Sequence, residues 1–128
     1  MSIGIYDSKP WLKSYDEGVS PDLDLPDESL IAGYERVRKQ FPDRPAFHFF
    51  GVTWTYEELF RAADRFARAL ADRGIGKDDV VAVNLPNLPQ YFIAQLGAAR
   101  MGCWVAGISP LLQTEEMAFQ LKDSRAKK

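Results

Sequence analysis

The stretch VVAVNLPNLPQYFIAQLGAARMGCWVAGI, residues 80–108, decides the fold. Val80–Leu85 is a nearly continuous apolar run, the pattern of a strand covered on both faces as in a parallel sheet. Pro86 ends it. Asn87 then caps a helix, with Gln90 three residues on, and Tyr91, Phe92, Gln95, Leu96 and Ala99 follow along it. Gly102 closes this helix, and Cys103–Ile108 returns as a second apolar strand. Strand, turn, helix and strand in this order make a βαβ unit, so the fold class is α/β, part of a mostly parallel sheet with flanking helices.

Upstream, Gly76-Lys77-Asp78-Asp79 is the turn that feeds the first strand. Before it lies the best-signalled helix of the chain. Thr55 and Glu58 form a capping box, and Trp54 and Leu59 stand in the positions of a hydrophobic staple. Leu59, Phe60, Ala63, Phe66, Ala67 and Leu70 make its apolar stripe, and Gly74 is its stop. Ala46–Phe50 and Val52–Trp54 read as two short strands of a hairpin around Gly51. A first helix is predicted from about Glu28 to Gln40, capped by Asp27, with Pro42 beyond its end. Residues 1–26, broken by Pro10, Pro21 and Pro26, form an extended arm whose Trp11, Leu12, Tyr15 and Leu23 are too apolar for a plain linker. Downstream, Pro110 ends the second strand and Thr114 caps a fourth helix through about Lys122. Residues 27–128 thus read as an α/β subdomain that stops where the alternation calls for another strand. An edge left unpaired there is expected to expose Val105 and Ile108 and to favour self-association.

Composition narrows the function classes. Of 128 residues, 46% are hydrophobic and 27% charged, as in an ordinary globular domain. With 16 Lys and Arg against 18 Asp and Glu the net charge is −2, which speaks against a nucleic-acid binder. No apolar run reaches the ~18–20 residues of a membrane span. The first residues lack the apolar core of a secretory signal, and a single cysteine, Cys103, fits a reducing cytoplasm.

Each residue that could carry chemistry also has a plainer reading. Gly74-Ile75-Gly76 follows a helix and precedes a strand, the reverse of a dinucleotide fingerprint, so it reads as a helix-end turn. His48 is the only histidine and sits in a strand, without partners for a His-based metal cluster. Cys103 follows a helix C-terminus, where the dipole disfavours a thiolate, and reads as a small core hydrophobe. Glu57 with Glu58, Asp78 with Asp79, and Glu115 with Glu116 stand at the starts of elements, where negative charge is favoured for structural reasons. The residues themselves therefore offer no catalytic, cofactor-binding or metal site.

Several segments nevertheless resemble, in order and spacing, the opening domain of adenylate-forming acyl-CoA synthetases. The matching residues are Leu85-Pro86-Asn87-Leu88-Pro89-Gln90-Tyr91, Ala99-Arg100-Met101-Gly102, Ser109-Pro110-Leu111, Glu115-Glu116 and Gln120-Leu121-Lys122-Asp123-Ser124. Thr55–Leu59 and Gly74–Ala82 resemble two further family blocks, with Lys77-Asp78-Asp79 departing from the usual Gly-Asp-basic order of that turn. Trp11–Tyr15 and Asp43–Phe47 are similar to the long-chain fatty-acid branch. The resemblance implies a cytoplasmic ligase, peripheral to the membrane at most, that activates a fatty acid with ATP and Mg2+ to an acyl-adenylate and passes the acyl group to coenzyme A. It also implies a homodimer paired through the amino-terminal region. The family's phosphate loop, its acidic adenine- and metal-binding block and its catalytic lysine have no counterpart between Met1 and Lys128, so this truncated subdomain is expected to be inactive alone. Another acyl- or aryl-CoA ligase of the superfamily, and a stand-alone α/β binding module, remain as alternatives.

Overall fold

A computed structural model describes residue 4 and residues 6–126. The arm holds a short 3₁₀ helix, Pro10–Ser14, followed by α1 (Leu30–Gln40), the hairpin β1 (Pro45–Phe49) and β2 (Val52–Thr55), and α2 (Tyr56–Ala71). Then come β3 (Val80–Val83), α3 (Pro89–Arg100), β4 (Trp104–Gly107) and α4 (Thr114–Asp123). The strands form two separate two-stranded sheets, β1 with β2 antiparallel and β3 with β4 parallel. The expected βαβ unit is present, with Val80 opposite Trp104 and Val83 opposite Gly107.

Local chemistry explains the boundaries of α2. Thr55 Oγ1 accepts the Glu58 N–H at 3.2 Å, and Glu58 Oε2 accepts the Thr55 N–H at 2.9 Å, closing the capping box. The two remaining amides of the first turn also find acceptors, Tyr56 N–H on Arg44 O at 3.1 Å and Glu57 N–H on Pro42 O at 3.0 Å. At the other end Gly74 takes φ +70°, and the bonds Gly74 N–H to Ala71 O and Ile75 N–H to Leu70 O make a Schellman turn. The end of α3 repeats the pattern, with Gly102 at φ +73° and the bonds Gly102 N–H to Ala99 O and Cys103 N–H to Ala98 O.

Three helix starts differ from expectation. The first helix begins at Leu30, because Ser29 rather than Asp27 caps it: Ser29 Oγ accepts the Ala32 N–H at 3.1 Å. Glu28 stays outside the helix and pairs with Arg36. Asn87 does not cap α3. Pro89, with its fixed φ and no N–H to satisfy, takes the first helical position, and Leu88 before it is extended. Thr114 is the first residue of α4 rather than its cap. Gln113 holds the cap position, and its N–H donates to Glu116 Oε2 at 2.9 Å.

The core has two adjoining parts that share α3. Ala94 and Ala98 pack with Leu70 of α2, Ile75 of the turn that follows it, and Val81 and Val83 of β3, while Leu96 packs with Leu59 and Ala63 of α2 beside Tyr34, Phe47 and Ile93. Phe60 is the largest fully enclosed side chain, 2% exposed. The β4 strand is less covered than its apolar sequence suggested. Trp104 is 68% exposed, yet Ile108, expected at the open edge, is only 4% exposed and its N–H bonds to Val83 O at 2.9 Å. That bond extends the parallel pairing beyond Gly107 and turns Ile108 into the core.

The contact that sets the helix spacing is at Gly97. A Cβ there would lie 2.8 Å from Ala63 O, 2.9 Å from Phe66 Cδ1 and 3.2 Å from Ala67 N. Glycine is a poor helix former, so replacement by alanine in an open helix would stabilise it by about 1 kcal/mol. Here two of the obstructing atoms are backbone and cannot move aside. Gly97→Ala is therefore expected to destabilise the fold by about 1–3 kcal/mol, the usual cost of overpacking. Urea unfolding of the variant beside the wild type checks this, and an equal or raised midpoint would show that the helices can separate freely.

Candidate functional site

Because β3 and β4 run parallel, both carboxyl ends open on the same side, and in open α/β sheets that crevice is where ligands bind. A cleft of about 490 Å³ lies there. Leu85, Pro86, Ile108 and Pro110 give it an apolar wall, with Asn87, Tyr91 and Ser109 as its polar groups. The two loops that frame it are tied together, since Asn84 Nδ2 donates to Ser109 O at 3.3 Å. Tyr91, from the first turn of α3, leans so near β4 that a Cβ on Gly107 would come within 3.0 Å of its hydroxyl. Gly107 is what lets that ring seat at the mouth of the cleft. These cleft residues went unnoticed as a site in the sequence reading. The available signal was their position just after two predicted parallel strands.

The lining suits an apolar or neutral polar group. It holds no cationic side chain to offset phosphate charge and no carboxylate to hold Mg2+, so a metal–nucleotide complex does not fit this cleft. Among the described residues, no group of three or more His, Cys, Asp or Glu is placed to hold a metal ion. A second hollow, about 430 Å³ and apolar, opens between α1, β1, α3 and β4 beside Tyr34, Phe47, Phe92 and Trp104.

The residues weighed for chemistry lie apart from one another. His48 faces Thr53 across the hairpin, Nδ1 to Oγ1 at 2.7 Å. The Cys103 thiol donates to Gly76 O at 3.1 Å, and burial, then the nearby Asp79 carboxylate, push its pKa up from the ordinary 9.0. A thiol held in that form is a weak nucleophile. Asp79 Oδ2 accepts the Gly76 N–H at 3.0 Å, and Asp78 sits in the turn at φ +68° with its N–H on Gly102 O. The glycine pair therefore belongs to the helix end and the turn, as expected.

The surroundings of Glu57 were missed in the sequence reading. Arg38 of α1 grips it with two bonds, Nε to Oε2 at 2.8 Å and Nη2 to Oε1 at 3.0 Å, and reaches Asp64 with Nη1 at 3.0 Å. Arg100 of α3 completes the cluster, pairing with Glu35 and placing Nε 2.9 Å from Asp64 Oδ1. That oxygen is buried and receives no well-aligned hydrogen bond, so its partner is the guanidinium charge. The cluster clasps three helices together and leaves no carboxylate free for proton transfer.

Several similarities to known proteins can be set beside this geometry. A family model described as AMP-binding enzyme matches residues 34–128. The chain belongs to that family. A long-chain-fatty-acid–CoA ligase of Yersinia pestis is 39% identical over 92% of this chain, and the match covers 21% of the ligase. The N-terminal subdomain of Klebsiella oxytoca NpsA superimposes with a TM-score of 0.75 at 22% identity, over 78% of this chain and 26% of that one. The o-succinylbenzoate CoA synthetase of Bacillus subtilis gives a TM-score of 0.70 at 30% identity, over 73% of this chain and 24% of its own. The fold is that of the opening part of adenylate-forming enzymes, and the chain spans about a fifth of the length of the curated relatives it matches.

The clasp has a pH signature. Hydrogen bonding from Arg38 lowers the Glu57 pKa from 4.5 to about 2, against an opposing effect of burial. A depressed folded-state pKa adds stability that is present above 4.5 and is lost as pH falls towards 2. Thermal melts between those limits should show the wild type losing stability more steeply than Glu57→Gln. Parallel slopes for the two proteins would remove Glu57 from the clasp.

Proposed function

We propose that these residues form the opening part of a long-chain fatty acid–CoA ligase. In such an enzyme a fatty acid is activated with ATP to an acyl-adenylate, and the acyl group then passes to the thiol of coenzyme A. The observation that carries this reading is the identity to a long-chain ligase along nine tenths of the chain, against a match of lower coverage to an aryl-acid synthetase. The cleft agrees with a supporting role, since its wall is apolar and its polar groups are neutral. Under this reading the nucleotide phosphates and Mg2+ are held by residues outside 1–128, and none of the described residues is catalytic. The enzyme would work in the cytoplasm.

The test is ATP–pyrophosphate exchange by the full-length polypeptide. Palmitate should support exchange and acyl-CoA formation, while residues 1–128 alone should stay at the no-protein background. Activity confined to aromatic acids would favour the aryl-CoA ligase alternative, and exchange by residues 1–128 would place the active site here.

The arm supports a further part of the proposal, that the ligase pairs with a second copy through its amino-terminal region. Tyr6, Trp11, Tyr15, Leu23 and Leu25 are all exposed on it, and clustered apolar side chains in water favour association. Sedimentation of the full-length enzyme with and without residues 1–22 should show a dimer becoming a monomer. An unchanged state would free the arm of that role.

A further inference from the structure

Helix α1 is tied to the helices beneath it more by charge than by apolar packing. None of its 11 residues is buried, whereas α2 buries six and α3 five. Its aromatic ring, Tyr34, is half-buried beside Leu59, Ala63 and Leu96 and tilted against Phe60 at 6.0 Å. The other hold is the clasp. Arg38 pairs with Glu57 and Asp64 of α2, and Glu35 pairs with Arg100 of α3. Arg61 shares Glu57, and the Arg38 guanidinium stands over the Phe60 ring at 5.7 Å. The five clasp side chains are between 18% and 35% exposed, so water screens them only in part.

The two ends of α1 are held differently. Beyond its last turn, residues 41–44 are pinned to the start of α2 by backbone bonds, Tyr56 N–H to Arg44 O and Glu57 N–H to Pro42 O. Those bonds do not depend on the clasp. At the other end the Ser29 cap and the Glu28–Arg36 pair are local and reach no other element. A fixed loop after the helix and ion pairs along it are the parts of a hinge and a latch. Undocked, α1 would not stay helical, since an isolated helix of 11 residues with Gly33 inside it is marginal in water. Its opening therefore frees backbone amides, which hydrogen exchange detects.

We propose that α1 is a strap that opens as its own unit on residues 41–44, and that Arg38 and Glu35 set how rarely it does so. Opening takes Leu30 and Tyr34 away from the second hollow, whose wall they form in part. Hydrogen exchange of the full-length protein, followed by mass spectrometry, tests this without reference to any activity. In the wild type, residues 30–40 should exchange faster than the interiors of α2 and α3. Arg38→Met keeps the apolar stem and removes the guanidinium. It should speed exchange in residues 30–40 by roughly tenfold or more, as expected for lost hydrogen bonds to charged groups, and change the surroundings of Ala67 and Ala98 less. Arg38→Lys keeps a cation without the two-pronged grip, so a smaller rise in the same residues is expected even if Arg38→Met does not fold. Glu28→Gln breaks only the local pair and should leave residues 30–40 near the wild-type rate. A rise as large as that of Arg38→Met would mean fraying of the helix start and would overturn the proposal. It fails too if α1 exchanges together with α2 and α3 in the wild type, or if the Arg38 variants speed all three helices alike. Unchanged exchange in residues 30–40 of both Arg38 variants would show that α1 is held by something other than the clasp, and would equally sink the strap.

Discussion

Gly97 holds the backbones of α2 and α3 closer than any side chain would permit, and much of the architecture follows from that distance. With α3 drawn against Ala63 and Ala67, its Ala94 and Ala98, beside Tyr91, also pack with Val81 and Val83 of β3. Small residues let one thin helix serve two packing surfaces, Leu59 and Ala63 on one and Leu70, Ile75, Val81 and Val83 on the other. The helix therefore shows no clean amphipathic stripe. The same closeness brings Arg100 at its end to Asp64 and Glu35, so the ionic clasp forms at the distance the glycine sets.

Features governed by neighbours in sequence were legible before the structure. The Thr55–Glu58 box, the Gly74 and Gly102 helix ends and the hairpin all depend on contacts within a few residues, and each is where the sequence placed it. The clasp and the cleft were not legible, for a common reason. Arg38 lies 19 positions from Glu57 and 26 from Asp64, and Asn84 lies 25 from Ser109, so no local pattern announces either pairing. The start of α1 moved because two competing caps, Asp27 and Ser29, lay within a few residues, and position along the chain alone does not choose between them. At the hairpin the sequence pointed to Gly51 as the turn residue, and correctly. That Phe50 shares the left-handed conformation was hidden, because apolar residues are seldom found there.

The charges of this subdomain bear on what it contributes to an adenylate-forming enzyme. Activating a carboxylate with ATP moves negative charge onto a leaving pyrophosphate, and that charge must meet cations or amides already in place. Arg38 and Arg100 are cations, yet Arg38 is paired with three carboxylates and Arg100 with two at the junction of three helices. Withdrawing either would leave half-buried carboxylates with one cation fewer, a costly arrangement. Their fixed engagement suits a scaffold rather than a site that rearranges with its substrate. The cleft at the strand ends, by contrast, has neutral polar groups and an apolar wall, so a ligand can come and go there without separating ions. In a ligase of the kind proposed, these residues would hold the frame and one uncharged wall. The phosphate chemistry would be supplied by segments that can afford to move their charges.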